Sequence, residues 1–230
     1  MRERTLRREV IGELVGSGAL VAVVFASGAV RVQLGAGTMR GAIPGSIALG
    51  LGYGLVLWIF GSMSGAQTNP LVSIVASLLG GQPWRRTLAR IAAQVAGAFV
   101  AGVLIQQLVP FLVAGDVGYP SSSVWAESVA AFGFVLVALG VALRRNVKVP
   151  VALGAFATAS FWMTGRATVG NPLLSATVEL VSTDRSAAEL LSLAAAAAIG
   201  AGVAVDAARV LFPSVREAAS VLLFVPTSNA

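Results

Sequence analysis

The fold class this sequence predicts is an all-α membrane protein with an inverted repeat: six transmembrane helices plus two re-entrant half-helices. Three observations carry that reading. Of the 230 residues, 57% are hydrophobic and only 11% charged, with mean hydropathy +0.85, a balance foreign to soluble domains. The apolar stretches come in spanning lengths, since a helix needs ~20 residues to cross a hydrocarbon core of about 30 Å. One short motif also occurs twice, as Asn69-Pro70-Leu71 and Asn171-Pro172-Leu173, 171 − 69 = 102 residues apart.

Taken in order, the first span is predicted over 10–30. It follows a basic start, MRERTLRRE, that would suit a signal peptide, but it is too long for one. Further spans are predicted over 43–61, 88–109, 124–143, 149–164 (the shortest) and 188–208. The breaks RVQLGAGTMRG, VPFLVAGDVGYPSSS, RRNVKVP and VSTDRS are turn-rich or charged. They leave no room for a soluble domain. Residues 1–230 therefore read as one membrane domain, with repeats at about 8–109 and about 122–212.

The cations set the orientation. With the N-terminus inside, twelve arginines and lysines fall on inner segments, among them Arg7, Arg85, Arg86, Arg90 and Lys148. Arg31, Arg40, Arg166 and Arg185 fall on outer ones. This positive-inside bias places both termini in the cytoplasm. It also accounts for the net charge of +6 without nucleic acid as a partner. Cysteine and histidine are both absent. Disulfides, thiolate nucleophiles, imidazole bases and the commonest transition-metal ligands go with them, so neither a metal nor a cofactor is predicted.

The half-helices come next. In SGAQTNPLVSIVASLLGG the apolar run after the proline ends at a pair of glycines, and GNPLLSATVEL repeats the pattern after the fifth span. Pro70 and Pro172 take the first helical position, where a missing N–H costs nothing. About ten residues at 1.5 Å rise reach ~15 Å, half of the hydrocarbon core. Three spans per half is an odd number, so the halves lie in opposite orientation and their short helices enter from opposite faces. The tips meet N-terminus to N-terminus at the midplane. Two positive dipole ends and the side chains of Asn69 and Asn171 collect there. The irregular lead-ins, GSMSGAQT and TGRATVG, require protein or a water-filled cavity around them.

Each half also places one glutamate in its first span, Glu13 in GELVGSGALVAVVFASG and Glu127 in AESVAAFGFVLVALG. A pair of intramembrane carboxylates is either a proton relay or a scaffold. One per repeat, in matched positions, suits a scaffold better. Gly12/Gly16, Gly50/Gly54 and Ala93/Gly97/Ala101 recur at four-residue spacing and let helix backbones approach. Trp58, Trp84, Trp125 and Trp162 read as interfacial or packing anchors.

SGAQTNPLV and VGNPLLS, with Glu13 and Glu127 in matching spans, resemble the aquaporin or major intrinsic protein family, whose usual motif is Asn-Pro-Ala. The likeness runs from Glu13 to about Pro213, and GQPWRRTLARIAAQVAGAFVAG resembles the third span of bacterial members. It implies a pore in each of four subunits of a homotetramer in a bacterial inner membrane. It also implies glutamates that hold backbone N–H groups of the half-helix loops. The permeants it implies are water and small neutral solutes: glycerol-like, urea-like or undissociated metalloid acids.

Departures from the family pattern bear on the solute. Leu71 and Leu173 replace alanine and are expected to narrow or dry the midplane. Gln67 stands where a pore-lining histidine is usual. By offset from the two motifs, the outer selectivity filter implied by the resemblance is Leu49, Ala159, Thr168 and Leu174. Leu174 takes the place of the family's arginine, and Arg166 lies near enough in the loop to be weighed as its substitute. A wide, weakly polar mouth is expected. ASFWMTGRATVGNPLLS looks somewhat like the motif of bacterial members linked to arsenic-type metalloids. A secondary transporter on broken helices, a membrane enzyme and a closed, non-conducting relative are the competing readings. Among charged groups near the break, only the two glutamates are expected, which disfavours the transporter. No nucleophile–base pair stands out for an enzyme.

Overall fold

The computed structural model describes residues 5–108, 124–144, 148–182 and 186–221. Among these, the secondary structure is helical throughout: α1 (Leu6–Gly35), α2 (Met39–Gly61), α3 (Pro70–Leu78), α4 (Trp84–Leu108), α5 (Val124–Ala142), α6 (Val149–Thr164), α7 (Pro172–Ser182), α8 (Ala187–Leu211) and α9 (Val215–Val221). The loop at 109–123 and the cations Arg2, Arg4, Arg145 and Arg185 lie outside the described residues.

By length and apolar composition, α1, α2, α4, α5 and α8 are each able to cross a membrane. The chain is a multi-pass membrane protein. The fifth expected span, α6, has 16 residues, about 24 Å of helix and shorter than the hydrocarbon core. The half-helices α3 and α7 have 9 and 11 residues, too few to cross. The amphipathic turn α9 has no counterpart among the expected elements.

Local chemistry accounts for the helix starts. Thr5 caps α1 by accepting the Arg8 N–H. Ser186 and Glu189 form a reciprocal capping box on α8, with Glu189 N–H on Ser186 Oγ and Ser186 N–H on Glu189 Oε2. Pro70 opens α3 directly after its asparagine cap.

The two halves pack alike. α1 lies against α2 and α4, α5 lies against α6 and α8, and the halves join through α2 on α6. α7 reaches across to α4 and α1 of the first half, while α3 touches α8 and α9 of the second. The closest approaches are also matched. A Cβ on Gly97 would strike the Leu14 carbonyl, and one on Gly200 would strike the Ser128 carbonyl. These glycines are 200 − 97 = 103 residues apart, and each sits beside the helix carrying its half's glutamate. The outer faces carry exposed Leu51, Phe99, Leu191 and Ile199, as lipid contact requires. Trp58 stacks under Lys148, whose Nζ is 4.7 Å from the ring centroid.

Candidate functional site

The candidate site is built from the tips of α3 and α7. Asn69 and Asn171 are both fully buried and do the same local work. Asn69 Oδ1 accepts the Leu71 N–H at 2.9 Å, and Asn171 Oδ1 accepts the Leu173 N–H at 3.1 Å. Each thereby satisfies an orphan donor of its own helix.

Their amide nitrogens differ. Asn171 Nδ2 donates to the Thr68 carbonyl at 2.8 Å, a bond between residues 103 apart that ties one tip to the other. Asn69 Nδ2 is buried with no partner among the described residues. Both lead-ins carry non-glycine residues in the left-handed region: Ala66 (φ 41), Thr68 (φ 44) and Val169 (φ 56). That conformation is costly for β-branched side chains, and here it sits at the two tips.

Two scaffolds hold these lead-ins. In the first half Glu13 accepts the backbone N–H groups of Gln67 at 3.0 Å and Thr68 at 2.7 Å. Gln94 of α4 donates to the same carboxylate at 2.7 Å and to Ser73 Oγ at 3.0 Å. In the second half Glu127 meets side chains. Arg166 Nε donates to Glu127 Oε1 at 3.2 Å and the Thr168 hydroxyl donates to it at 2.9 Å. Arg166 Nη2 donates to Glu179 at 2.9 Å. The side chains of Arg166, Glu127 and Glu179 are 4%, 1% and 4% exposed, so this is a desolvated triad. Arg166 is thus a loop strut bound by two carboxylates.

The expected filter positions separate. Leu49 and Leu174 are 0% and 1% exposed and Thr168 is 3%, so all three lie inside the helix bundle. The Thr168 hydroxyl is committed to Glu127. Ala159 is exposed, on the outward stripe of α6 with Val151, Ala155 and Trp162. A count of twelve back from Asn171 assumes an α6 register that this helix does not keep. The neighbouring Ser160 is fully buried, and its hydroxyl has no partner among the described residues.

Leu173 also departs from its expected place. It lines a cavity of about 330 Å³ between α4 and α7, with Phe99, Ala176 and Leu180. Leu71 remains buried beside Asn69.

On the opposite side of the tips lies a polar cluster. Gln67 pairs with Gln82 at 3.4 Å, and Gln82 Nε2 donates to Thr87 Oγ1 at 2.7 Å and to the Ser73 carbonyl at 3.2 Å. The hydroxyls of Ser77 and Thr87 are in contact. Further along α1, Glu9 pairs with Arg86 at 3.4 Å and with the buried Arg90 at 3.3 Å.

Several of these residues escaped the sequence reading, which expected only two intramembrane carboxylates near the break. Glu179 and Arg166 are charges inside an apolar stretch, and the rarity of such charges was the available signal. Glu9 lies one turn before Glu13, while Arg86 and Arg90 are one turn apart on α4. Tyr53, one turn beyond Leu49 on α2, is fully buried and stacks edge-on against Phe134 at 5.8 Å. Nothing in the local sequence marked it out. Among the described residues there is no cluster of three metal-ligating side chains.

Comparison with known proteins bears on this geometry. Residues 1–139 match the family described as "Major intrinsic protein". The chain is 34% identical over 180 residues to "Aquaglyceroporin AqpS" of Rhizobium meliloti (strain 1021), covering 76% of both proteins. It is 35% identical over 104 residues to "Glycerol uptake facilitator protein" of Escherichia coli (strain K12), covering 45% of this chain and 36% of that protein. Among solved structures, the aquaglyceroporin from Plasmodium falciparum superposes with TM-score 0.73 at 19% identity, over 92% of this chain and 99% of that one. At that identity the superposition speaks for the fold alone.

Proposed function

The chain belongs to the major intrinsic protein family, and from that premise we propose how its paired half-helices make a pore. It is a passive transmembrane channel for water and small uncharged solutes of the glycerol type, and not an enzyme. The observation that carries the pore reading is the Asn171 Nδ2 to Thr68 carbonyl bond. A contact between two half-helix tips so far apart in sequence requires the lead-ins to meet inside the bundle.

A solute crossing the bilayer trades its hydration shell for polar groups set along the conduit. The free Asn69 Nδ2 supplies a donor at the meeting point, backed by the positive ends of α3 and α7. The same dipole ends oppose a bare cation. Gln67, held by Gln82, offers an amide on one side; Leu49 and Leu174 form an apolar collar on the other. Pro70 and Pro172 fix where the half-helices begin, and Leu71 narrows the first tip. Glu13 and Glu127 act as scaffolds and leave loop carbonyls free to face the conduit. Ser160 takes the collar position that the count had given to Ala159. We place the channel in a bacterial inner membrane as a homotetramer with both termini cytoplasmic, on the cation distribution and the family likeness.

Stopped-flow light scattering on proteoliposomes tests the reading with water, glycerol, urea and arsenous acid. Permeation of water and at least one of the other solutes well above empty liposomes is expected. Rates equal to empty liposomes for all four would overturn it.

A further inference from the structure

The second tip is seated on α5 as well as tied to the first tip. Gly170, next to Asn171, lies so close to α5 that a Cβ on it would strike the Ala131 backbone nitrogen. One turn further along α5, Phe134 meets the ring of Tyr53 from α2, with centroids 5.8 Å apart and planes at 68°. Phe134 in turn meets Phe156 of α6 at 6.0 Å. α2 packs against α1 and α6, whereas α5 packs against α6 and α8. The Tyr53 ring therefore reaches from one wall of the bundle to another, beside the joined tips. Its hydroxyl is turned toward the Asn171 side chain. Both polar atoms of that side chain are engaged elsewhere, with the Thr68 carbonyl and the Leu173 N–H. Tyr53 Oη has no hydrogen-bond partner among the described residues. A buried hydroxyl left unpaired is costly, so packing alone does not account for a tyrosine where a phenylalanine would fit.

We infer that Tyr53 is a specificity-determining residue, whose ring sets the width of the conduit at the second tip and sorts solutes there by cross-section. This rests on the channel reading above, which runs the conduit past the meeting of the two tips. The tips make one side of the passage at this level, and the Tyr53 ring, backed by Phe134, makes the side opposite. Leu173, expected at this tip from its place in the motif, instead lines the cavity between α4 and α7. That leaves the Tyr53 ring as a bulky group facing Asn171, one turn past Leu49. Pore diameter is one of the properties by which channels select, and a flat ring holds that diameter with only two rotatable bonds. A hydroxyl-bearing solute drawn past the ring supplies the partner that the phenol lacks.

The test uses proteoliposomes of the full chain, with water, glycerol and the larger polyol ribitol followed by stopped-flow light scattering. Tyr53→Val is expected to raise the ribitol-to-water permeability ratio about tenfold. Tyr53→Phe keeps the ring and is expected to bring that ratio back to within about twofold of wild type. Where Tyr53→Val does not fold, Tyr53→Met removes the ring with a smaller loss of volume and carries the same expectation. The chain has no cysteine, so Tyr53→Cys adds a single thiol. Methyl methanethiosulfonate is expected to lower glycerol flux through that variant, and excess glycerol to slow the reaction, because the thiol lines the path the solute takes. A wild-type ribitol-to-water ratio in the folded ringless variant, or indifference of Tyr53→Cys flux to the reagent, would show that Tyr53 only packs the core and overturn the inference. If the wild-type protein passes no solute, the channel reading fails first and takes this inference with it. A conducting wild type with an unchanged ratio in the ringless variant removes the inference alone.

Discussion

The two half-helix loops face the same physical problem and solve it with different chemistry. Each must hold irregular backbone at membrane depth, where an unsatisfied N–H or carbonyl costs several kcal/mol. The first loop is held by neutral donors on a single carboxylate: two backbone N–H groups and the Gln94 amide on Glu13. The second is held by an arginine shared between Glu127 and Glu179. The first arrangement fixes the direction of the backbone itself. The second fixes a side chain and, through it, the loop that follows. An inverted repeat thus preserves the position of the carboxylate without preserving what it binds.

That contrast can be broken most forcefully at Arg166. Arg166→Met leaves two buried carboxylates facing each other, and removing one partner of such a set costs about 3–5 kcal/mol. The expected result in a thermal unfolding assay in detergent is loss of most of the folded protein. A Tm within a degree or two of wild type would show that the triad does not hold the second loop. Glu13→Gln is the matching change in the first half. It keeps one acceptor for the loop but gives up charge-assisted hydrogen bonds, each worth about 1.5–3 kcal/mol. A fall in Tm of the same order as for Arg166→Met is expected; a Tm within a degree or two of wild type would show that Glu13 does not hold the first loop.

The tips sharpen the comparison further. Asn69→Ala and Asn171→Ala each remove a helix cap worth about 1 kcal/mol. Asn171→Ala also removes the bond to the Thr68 carbonyl, adding about 0.5–1.5 kcal/mol. Asn171→Ala is therefore expected to lower Tm more, and Asn69→Ala to lower solute flux more per folded channel, because only Asn69 keeps its amide N–H uncommitted. Equal effects in both assays would contradict that division.

Much of the architecture was legible because membranes impose simple rules. Spanning length, the Asn-Pro starts and the paired glutamates all follow from hydrophobic thickness and backbone satisfaction, and each leaves a mark in the residue order. Ala159 shows where such reading stops. An offset counted through a loop fixes a place along the chain, while the face of α6 is set by its packing against α2 and α5, which turns Ser160 inward instead. Leu173 fails likewise, since a residue next to the motif can point along either side of a half-helix. Arg166 and Glu179 were visible as charges, but their pairing is tertiary and 13 residues separate them.

A concentration series of glycerol flux into proteoliposomes, run with and without a proton gradient, tests the central claim most directly. A permanent conduit between two half-helix tips has no site to saturate and no coupled ion, so flux is expected to rise in proportion to the glycerol gradient and to ignore the proton gradient. Saturation at low concentration, or uphill accumulation driven by protons, would contradict the account and show that the broken helices form a carrier.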